Sequence, residues 1–266
     1  MFHSVEKLQE AEYFLAGMTR TNGLEYKFNL NAFLSASRSV TFVLQKSMSN
    51  VSGFDDWYRN RRTEMRADSA MAFFVELRNI SSHEGPVSMV GASLPEPPYW
   101  TYRFAGNREA VPNVLIGQDV AKSCAAYLTK LAKLLQEFAA AFPYDCCITS
   151  ALTPDGIRVL RYSLEDVCGV LGLPSGFLEA GEDIPLVDKL RLLAKEFDPI
   201  DMTVVETIAA GQFANSGETL TFSDTHGSDL TDDIAKLIET RDPIASNLRM
   251  AFLSVIGKRI QDIEDG

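Results

Sequence analysis

Three histidines in 266 residues leave few side chains able to exchange protons near neutral pH. The four cysteines, Cys124, Cys146, Cys147 and Cys168, form no C-x-x-C pair and have no histidine beside them, which excludes a zinc knuckle and a disulfide framework and suits free thiols. No run of eighteen apolar residues occurs, and the opening MFHSVEKLQEAEYF places acidic residues where a signal peptide has a basic and then an apolar region. A soluble cytoplasmic chain without membrane contact is the expectation. A glycine-rich phosphate loop, G-x-S-x-G, H-E-x-x-H and a dinucleotide fingerprint are all missing, so the common nucleotide, hydrolase and zinc-protease chemistries have no anchor. Neither a cofactor nor a metal is expected.

What the chain has is 46% hydrophobic residues, enough for a folded core, and a net charge of −11. The charge is uneven. Residues 1–90 hold ten Lys+Arg and ten Asp+Glu, so the remaining residues, with fifteen and twenty-six, supply the whole deficit. Within the neutral part Arg59, Arg61, Arg62 and Arg66 bunch together. A local basic patch on an acidic protein can hold phosphate, since its field acts over a Debye length of roughly 8 Å; the plainer alternative is a solvated helix face.

Apolar spacings of three and four predict a mainly α protein. One helix is expected from about Ser4 to Thr19 and a second from Asn31, read as its N-cap, to Met48. A long third runs from Asp55 or Asp56 to about Ser82, and a fourth from Asp119 to Phe142. Together residues 1–143 read as an antiparallel four-helix bundle. Residues 84–115 interrupt it: five prolines forbid a helix, and Val87 to Leu94 and Trp100 to Phe104 are expected to pair as short strands. Residues 150–266 read as a mixed, mainly helical acidic region, with helices at Leu186 to Phe197 and Met202 to Ala210, a strand at Glu218 to Ser223, and a last helix near Ala245 to Ile263.

Among the histidines, His3 sits near a terminus, and His226 lies among Asp224, Asp229, Asp232 and Asp233. That acidic set suits a helix N-terminus more than a divalent cation. His83 closes the sequence Arg78-Asn79-Ile80-Ser81-Ser82-His83 at a helix end. The pattern R-N-x-x-x-H resembles the signature of the HEPN family of helical-bundle domains, found in bacterial toxin ribonucleases and RNA-cleaving CRISPR effectors. The resemblance covers residues 1–143. It implies a metal-independent endoribonuclease of the toxin or defence kind, acting as a homodimer, with a protein antitoxin or regulator as a further partner. On that resemblance Arg78 holds the scissile phosphate, His83 does acid–base work and Asn79 orients, beside the RNA-binding arginines 59, 61, 62 and 66. The family's pattern often carries an aromatic two residues after the histidine, where this chain has Gly85.

Residue chemistry alone agrees that a guanidinium fork grips phosphate and an imidazole moves protons. It also sets a condition. Five residues along an ideal helix turn 500°, so Arg78 and His83 point about 140° apart, and convergence requires a distorted last turn or a second chain. The alternative is a non-catalytic helical module for RNA binding, protein interaction or dimerisation, with Arg78 and His83 serving only the negative end of their helix.

Overall fold

The computed structural model describes residues 1–83, 85–94, 99–105, 111–180, 183–197 and 202–213, together with Leu220 and Phe222. The ETLTFS stretch as a paired element, His226 with its acidic neighbours, and the expected helix at 245–263 lie outside the described residues. The protein is mainly helical with one short antiparallel pair of strands.

The first helix, α1, spans Phe2–Arg20 and buries Val5, Leu8, Ala11, Leu15 and Met18, the stripe its spacing foretells. The second, α2, spans Gly23–Met48 and starts eight residues before the expected cap. Tyr26 and Leu30 continue the apolar row backwards from Phe33 and Leu34, so packing favours helix through Asn31 and leaves Asn22 as the cap. Asn31 instead sits within the helix, and its Oδ1 accepts a hydrogen bond from Ser81 Oγ at 2.9 Å.

The expected long third helix is two helices, α3 (Phe54–Ala67) and α4 (Ser69–His83). Asp68 makes the break. Its backbone is extended, its N–H bonds the Glu64 carbonyl to close α3, and its Oδ1 accepts the Met71 N–H at 3.1 Å to open α4. The other carboxylate oxygen is ion-paired with Lys130 of α5 (Val120–Ala141). An aspartate that caps the next helix and reaches a cation on a neighbour stabilises the interruption that periodicity alone does not show.

Both α3 and α4 run opposite to α5. Phe54 packs on Phe138 and Phe142 at the far end of α5, Lys130 meets Asp68 in the middle, and Phe74 stacks on Tyr127 at 4.5 Å nearer its start. Tyr26, near the start of α2, lies by Asp119 just before α5. Leu8, Leu15, Leu30, Phe33, Leu44, Phe54, Leu128, Leu131, Leu135 and Phe138 fill the space between them and are fully buried. The last of the described helices, α11 (Met202–Ala209), joins this core through Val205 and Ile208.

Strands β1 (Met89–Ser93) and β2 (Trp100–Phe104) pair in the register Met89↔Phe104 to Ser93↔Trp100. Gly91 faces Tyr102, and a Cβ there would fall 2.6 Å from the tyrosine ring. A glycine is therefore required for the ring to lie across β1.

Beyond α5 come α6 (Pro143–Cys146), α7 (Ile148–Ala151), α8 (Pro154–Leu160), α9 (Leu164–Leu171) and α10 (Leu186–Phe197). Thr153 caps α8: its Oγ1 accepts the Gly156 N–H. Ser163 and Asp166 form a reciprocal capping box at α9. Leu152, Ile157, Val167, Cys168, Leu178, Leu190 and Ala194 make a second, smaller apolar cluster. No helix among the described residues is long and apolar enough to cross a membrane.

Candidate nucleic-acid interface

The arginines at 59 to 66 divide by helix geometry. Arg59, Arg62 and Arg66 are exposed, and their offsets of three and seven residues place them within an arc of about 60° along about 10 Å of helix axis. Arg59 is paired with Asp56 at 2.9 Å in an open, water-screened contact. Arg62 and Arg66 carry no ion pair among the described residues. Arg61 points the other way: it is half-buried, lies 5.9 Å over the Trp57 ring, and meets Glu64 at 2.7 Å and Glu137 of α5 at 3.3 Å. Arg61 is therefore a strut between α3 and α5. The other three face solvent, Arg59 in its open pair with Asp56 and Arg62 and Arg66 without an ion pair among the described residues.

The motif residues on α4 are not brought together within one chain. The helix stays regular through His83, and the Gly85 N–H closes it on the Ile80 carbonyl at 3.0 Å with Gly85 at φ +131°. A regular last turn keeps Arg78 and His83 about 140° apart. His83 is exposed, while Arg78 is half-buried with its Nε sealed from water and without an acceptor among the described residues. Asn79 donates from Nδ2 to Glu76 Oε2 at 3.3 Å, a contact within its own helix.

A second group has no signal in the sequence, because its members come from three separate segments. Asp119 is 7% exposed and accepts hydrogen bonds from Thr101 Oγ1 (2.8 Å), the Tyr102 N–H (3.1 Å) and the Lys122 N–H (3.1 Å). It thus caps α5 and fixes β2 to it. Tyr102 stacks on Tyr26 with centroids 4.0 Å apart, and its hydroxyl accepts the Gly23 N–H at 2.8 Å, tying β2 to the start of α2. Burial, with the Asp119 charge nearby, pushes the Tyr26 phenol well up, so it stays neutral. Its proton has no acceptor among the described residues; the backbone of Ala121 faces it. A cleft of about 170 Å³ opens beside this junction.

No group of three or more His, Cys, Asp or Glu that could hold a metal occurs among the described residues. The thiols of Cys146 and Cys147, neither of them in a disulfide, lie 3.7 Å apart, with Cys147 also 3.2 Å from Ser150 Oγ.

No solved structure matches the chain. Residues 11–96, from within α1 to just past β1, match the family of bacteriophage lambda protein ea47. Protein ea47 of Escherichia phage lambda is 37% identical over 65 residues, which is 24% of this chain and 16% of that protein. The chain therefore spans about a sixth of the length of this curated relative. This finding corrects the HEPN resemblance. Arg78, Asn79 and His83 fall inside the stretch that matches the ea47 family. What the chain is similar to, over its first helices, is protein ea47.

Proposed function

We propose that the chain is a non-catalytic helical module that binds RNA through the outer face of α3. The observation that carries the reading is the separation of roles among its arginines: Arg61 is committed to the bundle, whereas Arg59, Arg62 and Arg66 stand in a row in solvent. Guanidinium groups so spaced can each take a phosphate along a strand, through a contact that reads backbone charge and not base identity. Strand scission asks for an acid–base group beside a phosphate-binding one, and Arg78 and His83 diverge along one regular helix. Protein interaction or dimerisation remains the neighbouring use of the same surface.

The test incubates labelled single-stranded RNA with the full chain in chelator. Retention of RNA by the wild type, loss of retention in the Arg59→Ala/Arg62→Ala/Arg66→Ala variant, and intact RNA throughout support the proposal. Degradation that disappears in His83→Ala would overturn it in favour of a nuclease completed by a second chain.

A further inference from the structure

The cleft beside Asp119 combines aromatic, cationic and buried acidic side chains. Its walls come from the end of α1 and its link to α2 (Arg20, Thr21, Asn22), from Tyr26, from Tyr99 and Trp100 at the start of β2, and from Asp119. Tyr99 is 59% exposed and Trp100 43% exposed, so two aromatic rings stand with faces or edges open to solvent at one opening. Charge decides what can enter. The Asp119 carboxylate already accepts three hydrogen bonds, while Arg20 is exposed and carries no ion pair among the described residues. The opening therefore holds one buried carboxylate whose acceptor positions are taken and one exposed guanidinium with no ion pair among the described residues. Size decides the rest: about 170 Å³ falls below the roughly 300–1,000 Å³ of sites that enclose a whole drug-sized ligand. It suits one flat ring system whose remainder stays outside.

We infer that this cleft is a nucleotide site, taking a base against Trp100 and Tyr99 with the phosphate on Arg20. A flat heterocycle with an attached anion satisfies both requirements, since every base has a face that stacks on an aromatic ring and a guanidinium binds phosphate in a fork. The site is independent of the α3 arginines and does not rest on their role. The same chemistry is offered by a free nucleoside monophosphate and by one unit of an RNA strand.

Calorimetric titration of the full chain with AMP, GMP, CMP and UMP, and with ribose 5-phosphate as a ring-free control, tests the inference. At least one monophosphate is expected to bind with a millimolar or lower Kd, and ribose 5-phosphate at least about tenfold more weakly, the control having no base to stack. Trp100→Leu is expected to weaken the monophosphate by about fivefold or more, the smallest effect of losing one base–aromatic stack. Arg20→Gln is expected to bring the monophosphate down to the affinity of its nucleoside. The Arg59→Ala/Arg62→Ala/Arg66→Ala variant is expected to leave both affinities unchanged, so failure here and failure of RNA binding on α3 are separate results. A short oligoadenylate that binds more tightly than AMP and keeps its dependence on Trp100 identifies a strand as the source; equal or weaker binding identifies the free nucleotide. Absence of binding by all four monophosphates up to about 10 mM, equal binding of ribose 5-phosphate, or Trp100→Leu and Arg20→Gln variants that fold and bind as the wild type does, would overturn the inference.

Discussion

Removing the Asp119 side chain should unfold more of the protein than its position on a helix cap suggests. Three donors converge on it: the Lys122 N–H of the first turn of α5, the Tyr102 N–H of β2, and the Thr101 hydroxyl, whose residue is fully buried. Loss of an N-cap costs about 1 kcal/mol. Each of the other two donors loses a bond to a charged acceptor, about 1.5–3 kcal/mol apiece, and is left in a place closed to water. Partial relaxation of β2 reduces the total, so Asp119→Ala is expected to cost about 3–5 kcal/mol. Asp119→Asn preserves the shape and one acceptor oxygen, replaces the other with a donor that faces donors, and is expected to fall between, at about 1.5–2.5 kcal/mol. Urea unfolding at neutral pH measures both, and the slope should match the wild type if the native fold persists. An Asp119→Ala cost under about 1 kcal/mol, or equal costs for the two variants, would refute the view that this carboxylate joins α5 to β2 by hydrogen bonding.

Other outcomes follow from the same packing. Phe74→Ala removes a buried ring that stacks on Tyr127 and meets Phe73 and Phe104 edge-on, and thermal or urea unfolding should show a loss of about 3–5 kcal/mol. Gly91→Ala places a methyl group against the Tyr102 ring, so amide hydrogen exchange in 89–104 should speed up while exchange in α1 and the middle of α5 stays slow. For Asp68, partial burial by itself would raise the carboxyl pKa; the Lys130 ammonium and the Met71 N–H outweigh it and hold the group below its ordinary range. A folded-state pKa lowered in this way stabilises the protein above the unfolded carboxylate value, near 3.9, and the contribution disappears as pH falls through the folded value. The stability difference between wild type and Lys130→Ala, read from urea midpoints, should therefore be constant above about pH 5 and shrink below about pH 4. A difference that grows on acidification would contradict the pairing.

Much of the fold is legible in the sequence because its core is made of long amphipathic helices. Leu8, Leu15, Leu44, Leu128 and Leu135 stand in rows that could serve no other purpose, and Pro143 and the proline-rich excursion mark where the rows stop. Boundaries set by a single polar side chain are harder to read. Asn22 and Asn31 look alike as caps, and only the burial of Tyr26 and Leu30 between them selects the first. Asp68 inside an otherwise helical stretch looks like one more solvated charge until Lys130 is seen opposite it.

The candidate surface shows the same division. That Arg59, Arg62 and Arg66 share a face, with Arg61 off it, is a matter of counting, and so is the angle between Arg78 and His83 that separates the suspected motif residues. The HEPN resemblance of that motif is overturned by the match to the ea47 family, because a spacing in sequence does not fix a family. The cleft of Arg20, Tyr26, Trp100 and Asp119 could not be found by counting at all, since its parts come from chain segments far apart and carry no common period.

The most direct measurement of the central claim is the salt dependence of binding to a single-stranded RNA by the wild type and by the Arg59→Ala/Arg62→Ala/Arg66→Ala variant. Each phosphate neutralised on a single strand contributes about 0.7 to the slope of log affinity against log salt. The expected result is a slope reduced by about 1.5–2 in the variant, together with weaker binding at every salt concentration and no dependence on RNA sequence. Identical slopes for the two proteins, or RNA that neither retains, would show that the arginine row on α3 is only a solvated helix face.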